Sequence, residues 1–403
     1  MTLIFCLLVL GASLLSLSFC RVAFPFLIAN AKRLRLLDYP DSRKLHEAPT
    51  PRLGGIAIAP CIWLGCSLSL LLAQGVGFRD FGYLRDEFSI SVTGLLIGLF
   101  GFFLIGVIDD LRPLKASGKL TAQIFVAIIT ISFLPVPESL GGFEISYSLW
   151  LLFAFAWLVV VPNAVNLLDG VDGLTGLLFT CFVSVLVLRA MMVGQMEWLA
   201  LLLPVLAGTI VFLKFNWAPA KIFLGDSGSL TIGYLVAYTS LCFSYWSGPT
   251  SNLSPLILFG LVSVWLIDTG LAIARRFWRG APSLKLITRR KKGQLYLFGL
   301  VRATMRVMRP DRQHIHHLFL GMGLSAAQTA ISLSLFWLAF ASLFFAGHLW
   351  ISEPDGFYDH AWIYLGGVGL FMLLANGLFC LSLASNKERP SQVECIESIQ
   401  RAG

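Results

Sequence analysis

The sequence predicts an all-α, polytopic transmembrane bundle of about eleven helices, with its N-terminus outside and its C-terminus cytoplasmic. Three observations carry this. Of 403 residues, 57% are hydrophobic and only 13% charged, whereas a soluble domain carries about 25% charged residues. The mean hydropathy is +0.79. The apolar residues are also gathered into runs of the length, roughly 17–25 residues, that crosses a bilayer as a helix. These runs lie at about 2–28, 53–73, 89–108, 119–135, 148–168, 173–193, 198–214, 227–247, 254–277, 326–347 and 361–384.

No Lys or Arg precedes Arg21 in the first run, and Lys32, Arg33 and Arg35 follow it. A signal peptide begins with a basic segment, so a retained first helix is expected, its start outside. Alternation then sends Arg43, Lys44, Arg52, Arg112, Lys115, Lys119, Lys214 and Lys221 to inner loops. Glu138, Glu144, Glu197, Glu353 and Asp355 go to outer ones. That asymmetry obeys the positive-inside rule. The formal charge of +8 is therefore an inner-face charge, suited to anionic lipid headgroups and phosphorylated substrates. No soluble domain is present to bind nucleic acid. One transmembrane catalytic domain over 1–385 and a polar cytoplasmic tail over 386–403 are expected. No internal repeat supports an inverted-repeat transporter. The eight cysteines form no C-x-x-C pair and read as small buried hydrophobes.

Polar clusters punctuate the edges of these runs. Asp109-Asp110 follows the third, Asp169 and Asp172 follow the fifth, which holds Asn166 near its end, Asp226 follows the seventh, and His314, His316 and His317 follow the ninth. Each comes after an odd-numbered crossing, so all four share the cytoplasmic face. Ionisable groups at a membrane are functional candidates. Adjacent Asp109 and Asp110 cannot both ionise cheaply in a low dielectric, so one is a candidate base, or both are solvated helix-end acids. Asn166, Asp169 and Asp172, spaced by three, share a face if the stretch is helical. Gly170 and Gly173 permit a close approach or a break. Asp226 opens a helix, where an acid can hold a metal while Gly and Ser amides face a phosphate. The His run lacks the H-E-x-x-H pattern. With Arg312 it reads as a donor cluster for phosphate oxygens rather than a zinc site.

The ordered strings resemble the polyprenyl-phosphate N-acetylhexosamine-1-phosphate transferases. They are Asp38-Tyr-Pro-Asp41-Ser-Arg43-Lys44-Leu-His46 with Pro51-Arg52-Leu-Gly54-Gly55, Asp109-Asp110, the Asn166/Asp169/Asp172 string, Phe223-Leu-Gly-Asp226-Ser-Gly-Ser229, and Asp311-Arg312-Gln313-His314-Ile-His316-His317. The resemblance implies an enzyme of the bacterial cytoplasmic membrane that moves a sugar 1-phosphate from a UDP-N-acetylhexosamine, with UDP-GlcNAc the expected donor. The acceptor would be undecaprenyl phosphate, UMP would leave, and the product would start a cell-surface glycan such as O-antigen. It implies Mg2+, or Mn2+ in its place, held by Asp226 with Asp109. Asp109, Asp110, Asp169 and Asp172 would be the catalytic acids. Asn166, Asp172, Lys119, Asn216 and Phe223 would bind nucleotide and phosphate, with Phe223 against the uracil. Arg312, His314, His316 and His317 would contact the pyrophosphate. Related transferases offer a homodimer as the assembly. Relative to the family's short loop, about 25 additional residues near 283–309 carry a basic amphipathic pattern expected to lie on the inner leaflet.

Two other classes compete. An intramembrane aspartyl protease would use membrane-edge acids without the His run. An ion or solute transporter would show flux rather than UMP release.

Overall fold

The structure is a computed structural model that describes residues 2–34, 36–39, 49–75, 82–193, 195–245, 252–280 and 314–351. The 283–309 insertion, Arg312, the eleventh predicted run and the polar tail lie outside the described residues.

Ten long helices answer the first ten predicted runs. They are α1 (Thr2–Leu34), α2 (Gly54–Gly75), α3 (Gly82–Leu111), α4 (Ala116–Thr130), α5 (Tyr147–Leu168), α6 (Leu174–Val193), α7 (Met196–Asn216), α8 (Gly225–Tyr245), α9 (Pro255–Gly280) and, after the short α10 (Ile315–Gly321), α11 (Ala326–Ile351). Eight of these are long and apolar enough to cross a membrane. The protein is a polytopic all-α membrane protein.

Helix α8 is not among the eight, because Gly, Ser, Thr and Tyr dilute its apolar residues. Its position explains the composition. Every residue from Ser227 to Ser244 is buried, with α3, α5, α2 and α9 packed around it. A helix ringed by protein does not need a lipid-soluble surface. Several of its hydroxyls return to its own backbone, as in Thr231 to the Ser227 carbonyl at 2.6 Å and Ser244 to the Ser240 carbonyl at 2.7 Å. Bonds of this kind satisfy hydroxyls at membrane depth, while among the described residues Ser227 Oγ and Tyr238 OH on the same helix are buried with no hydrogen-bond partner. Lipid tails are as apolar as Leu, so close packing and hydrogen bonds across helices hold such a bundle. The Trp157 indole donates to Ser240 Oγ at 3.1 Å, joining α5 to α8. The Trp337 indole donates to the Leu261 carbonyl at 2.9 Å, joining α11 to α9. Asn163 of α5 donates to Gln123 Oε1 of α4 at 2.7 Å.

Short strands close the two ends. At one end β1 (Leu37–Asp38) pairs antiparallel with β2 (Thr50–Pro51), Leu37 opposite Pro51 and Asp38 opposite Thr50. At the other, β3 (Ser139–Leu140) lies between antiparallel β4 (Phe143–Glu144) and parallel β5 (Asn252–Leu253). The polar clusters gather at the β1–β2 end.

Candidate active site

The site begins where α3 meets the start of α8. A Cβ on Gly106 would fall 2.4 Å from the Asp226 carbonyl oxygen, so only glycine lets the two backbones touch. That contact brings the end of α3 under the first turn of α8. Asp110 then caps α8: its Oδ1 accepts the Asp226 amide at 2.8 Å and its Oδ2 the Ser227 amide at 2.9 Å. A carboxylate there satisfies two orphan donors and complements the helix dipole. Gly225 turns the chain into the helix at φ +73°, with the Asp110 carboxylate where a side chain would go.

Asp109 points elsewhere. Its Oδ1 accepts the Leu114 amide at 2.6 Å, and its Oδ2 lies 2.8 Å from Lys119 Nζ. The same ammonium is 2.8 Å from Asp226 Oδ1. Asn166, near the end of α5, donates to that Asp226 oxygen and, at 2.7 Å, to Ser229 Oγ. Four helices thus deliver Asp109, Lys119, Asn166 and Asp226 to one point.

The neighbouring loops are tied down by side-chain amides and acids. Asn216 accepts the Gly173 amide at 3.1 Å and donates to the Ile222 carbonyl at 2.9 Å. Asp172 Oδ2 accepts the Ala220 amide at 2.9 Å. Phe223 is zipped between segments: its amide donates to the Pro51 carbonyl at 2.7 Å, and its carbonyl accepts the Gly54 amide at 2.9 Å.

These groups surround a cavity of about 430 Å3 whose lining includes Asn166, Asp169, Asp172, Phe223, Asp226 and His317. Asp169 keeps partial access to it, yet its carboxyl lies deep among protein atoms. Burial pushes its pKa up to about 7, and the charges of Asp226 and Asp110 add to the rise.

The histidines divide. His314 Nδ1 lies 2.7 Å from Asp268 Oδ2, and Asp268 Oδ1 accepts the Ile315 amide at 2.6 Å. That buried acid anchors the start of α10. His316 is buried and packs beside Gly170. Burial, then the adjacent His317 charge, lowers its pKa to about 3, so it is neutral at physiological pH. Among the described residues, His317 is the histidine on the cavity wall.

Residues 92–244 match the Glycosyl transferase family 4 profile. The chain is 31% identical over 337 residues to a probable undecaprenyl-phosphate N-acetylglucosaminyl 1-phosphate transferase of Bacillus subtilis, covering 82% of each chain. It is also 30% identical over 355 residues to a decaprenyl-phosphate N-acetylglucosaminephosphotransferase of Mycobacterium tuberculosis, covering 81% of this chain and 78% of that one. A phospho-N-acetylmuramoyl-pentapeptide-transferase of Thermotoga petrophila is 32% identical over 258 residues, covering 60% of this chain and 75% of that one. The chain belongs to the polyprenyl-phosphate sugar-1-phosphate transferases.

Against its sequence-predicted site, the transferase brings Asp109, Asp110, Asn166, Asp169, Asp172, Asp226 and His317 to one end of the bundle. One expectation changes, and several residues gain defined partners. Asn166, Asp169 and Asp172 do not share a helical face, because α5 ends at Leu168 and Asp169 leaves the helix at ψ 56°. Asp110 is spent on the α8 amides. Asn216 ties two loops together, and His314 is committed to Asp268. Lys119 Nζ lies 2.8 Å from a carboxylate oxygen of both Asp109 and Asp226. Asp268 is absent from the sequence-predicted site, although an acid inside an apolar run is itself a signal. Ser229 had no signal of its own.

Among the described residues no three His, Cys, Asp or Glu converge on a metal. Asp109 and Asp226 do converge on one cation, the Lys119 ammonium, at 2.8 Å each. Mg2+ is commonly held by one or two carboxylates, with substrate phosphates completing the shell. The residues present fit that group.

Proposed function

We propose that the transferase moves GlcNAc 1-phosphate from UDP-GlcNAc to undecaprenyl phosphate. UMP would be released and a polyprenyl-pyrophosphoryl sugar left at the cytoplasmic face of the bacterial inner membrane. The observation that carries this reading is the convergence of Asp109, Lys119, Asn166 and Asp226 beside an acid-lined cavity. The relatives' names supply the substrate classes. In the reaction an oxygen of the lipid phosphate bonds to the sugar-bearing phosphorus of the donor. The bond from that phosphorus to the bridging oxygen breaks, and UMP leaves with the electron pair. Little covalent chemistry is asked of the protein, so catalysis is positioning and charge neutralisation. Asp226 and Asp109 would hold Mg2+ (or Mn2+), which when bound neutralises charge on the phosphoryl oxygens. Asp109 would take the proton of an incoming monoanionic lipid phosphate. Phe223, on the cavity wall, would lie against the uracil, with Asn166 and Asp172 as polar contacts and His317 toward the pyrophosphate.

The test is purified protein in lipid with undecaprenyl phosphate, Mg2+ and a panel of UDP-sugars. UMP release with a lipid-linked product from UDP-GlcNAc is expected. Product from a different UDP-sugar would correct the donor, and no UMP from any of them would overturn the reading.

A further inference from the structure

The cavity wall carries Asp38, Asp169, Asp172 and Asp226, and among the described residues Arg52 is its one Lys or Arg. A phosphate entering such a cavity meets mostly negative charge. Lys119 is already shared between Asp109 and Asp226, and His316 is buried and neutral. Arg52 is placed differently. Its Nη2 lies 2.8 Å from Asp38 Oδ1, and its side chain is 43% exposed against 11% for Asp38. A guanidinium has five donors in a fixed fork, and this bond occupies one of its nitrogens. The buried acid steadies the group while its open side can still receive a ligand. Phosphate oxygens match such a fork in charge and geometry.

The backbone beneath Arg52 is just as constrained. Its amide donates to the Leu36 carbonyl at 3.0 Å, and it bridges in parallel to Phe223. Its carbonyl lies against Gly225, 3.1 Å from where a Cβ would sit. The residue is therefore registered to the segment that presents Phe223 and Asp226. Its charge reaches Asp169, where it opposes the effect of burial.

Resting on the function proposed above, we propose that Arg52 binds a phosphate oxygen of a substrate in this cavity and that Asp38 is its positioning residue. The phosphate is either the donor's pyrophosphate or the acceptor's lipid phosphate. Steady-state rates of Arg52→Gln, Arg52→Lys and Asp38→Asn, each substrate varied separately, distinguish the two. Arg52→Gln raises one KM by about ten-fold or more, the size of a lost charge-assisted hydrogen bond. Arg52→Lys recovers part of the loss, and Asp38→Asn raises the same KM by a smaller factor. A raised KM for UDP-GlcNAc, with weakened UMP binding by calorimetry, assigns the donor. A raised KM for undecaprenyl phosphate alone assigns the acceptor. Both KM values within about two-fold of wild type in Arg52→Gln overturn the inference. If Arg52→Gln does not fold, Asp38→Asn decides alone, and an unchanged KM pair overturns it. An inactive wild type would sink the proposed function instead, so the two failures are separable.

Discussion

Asp226 shows how much chemistry one position can concentrate. Its amide is held by Asp110, and one of its oxygens receives both Lys119 and Asn166. Asp226→Asn keeps the size and the amide contact but removes the charge. It should lower kcat by about 10²–10³-fold, the usual cost of losing one preorganised charge-stabilising group, with the thermal midpoint little changed because Lys119 keeps Asp109. A kcat within about three-fold of wild type would remove Asp226 from the machinery. Asp169 makes a prediction about pH. Its folded pKa of about 7 lies above the usual carboxylate value, so the folded state holds this proton more tightly than the unfolded chain. Its contribution to stability is complete below about pH 4 and is lost as pH rises through about 7. Asp169→Asn stays neutral throughout. Its melting temperature should therefore gain on wild type between about pH 5 and pH 8, whereas a constant gap would contradict the burial argument.

At the scale of elements, the site depends on how closely helices approach. The α3–α8 contact at Gly106 sets where Asp109 lies relative to Asp226. Gly106→Ala would place a methyl 2.4 Å from backbone atoms of Asp226 and Ser227. Overpacking of this kind costs about 1–3 kcal/mol. A drop in both kcat and melting temperature is expected. Gly118→Ala, on α4 with no atom within 4 Å of the new methyl, should leave stability unchanged or raised and serves as the control. The Gln123–Asn163 amide pair links α4 to α5 about one turn from Lys119 and Asn166 respectively. Gln123→Leu removes the partner of Asn163 across the two helices, leaving its amide the bond to the Val159 carbonyl, a loss of about 1 kcal/mol. It should lower kcat, since Lys119 and Asn166 would be displaced from Asp226, and raise the donor KM by a smaller factor, since Asn166 also lines the cavity. Raised KM values at unchanged kcat would argue against that role.

For the whole molecule, the two ends of the bundle differ in charge, and this makes orientation testable. With native cysteines blocked, a cysteine replacing Leu114 lies at the site end and one replacing Phe143 at the far end, both in exposed positions. A membrane-impermeant thiol reagent added to intact cells should label the Phe143 position and spare the Leu114 position, and the reverse would invert the topology. The bundle and the shared face of its polar clusters were legible because apolar run length and charge asymmetry are properties of the chain alone. Counting crossings placed Asp109, Asn166, Asp226 and the histidines together with no knowledge of packing. The division of labour was not legible. Adjacent Asp109 and Asp110 look alike as letters, yet one caps α8 and the other meets Lys119, because the end of α3 turns them in different directions. The three histidines look like one cluster, yet Asp268 claims His314, burial neutralises His316, and His317 alone reaches the wall. Helix α8 reads as one more membrane span, whereas its Ser and Thr content fits a helix surrounded by protein. The sequence by itself determined the architecture, the family strings and the end at which chemistry gathers, since these follow from hydrophobicity and order along the chain. Only the tertiary structure decided which acid holds backbone, which holds a cation and which histidine faces the cavity, because burial and hydrogen-bond partners arise from contacts between distant segments.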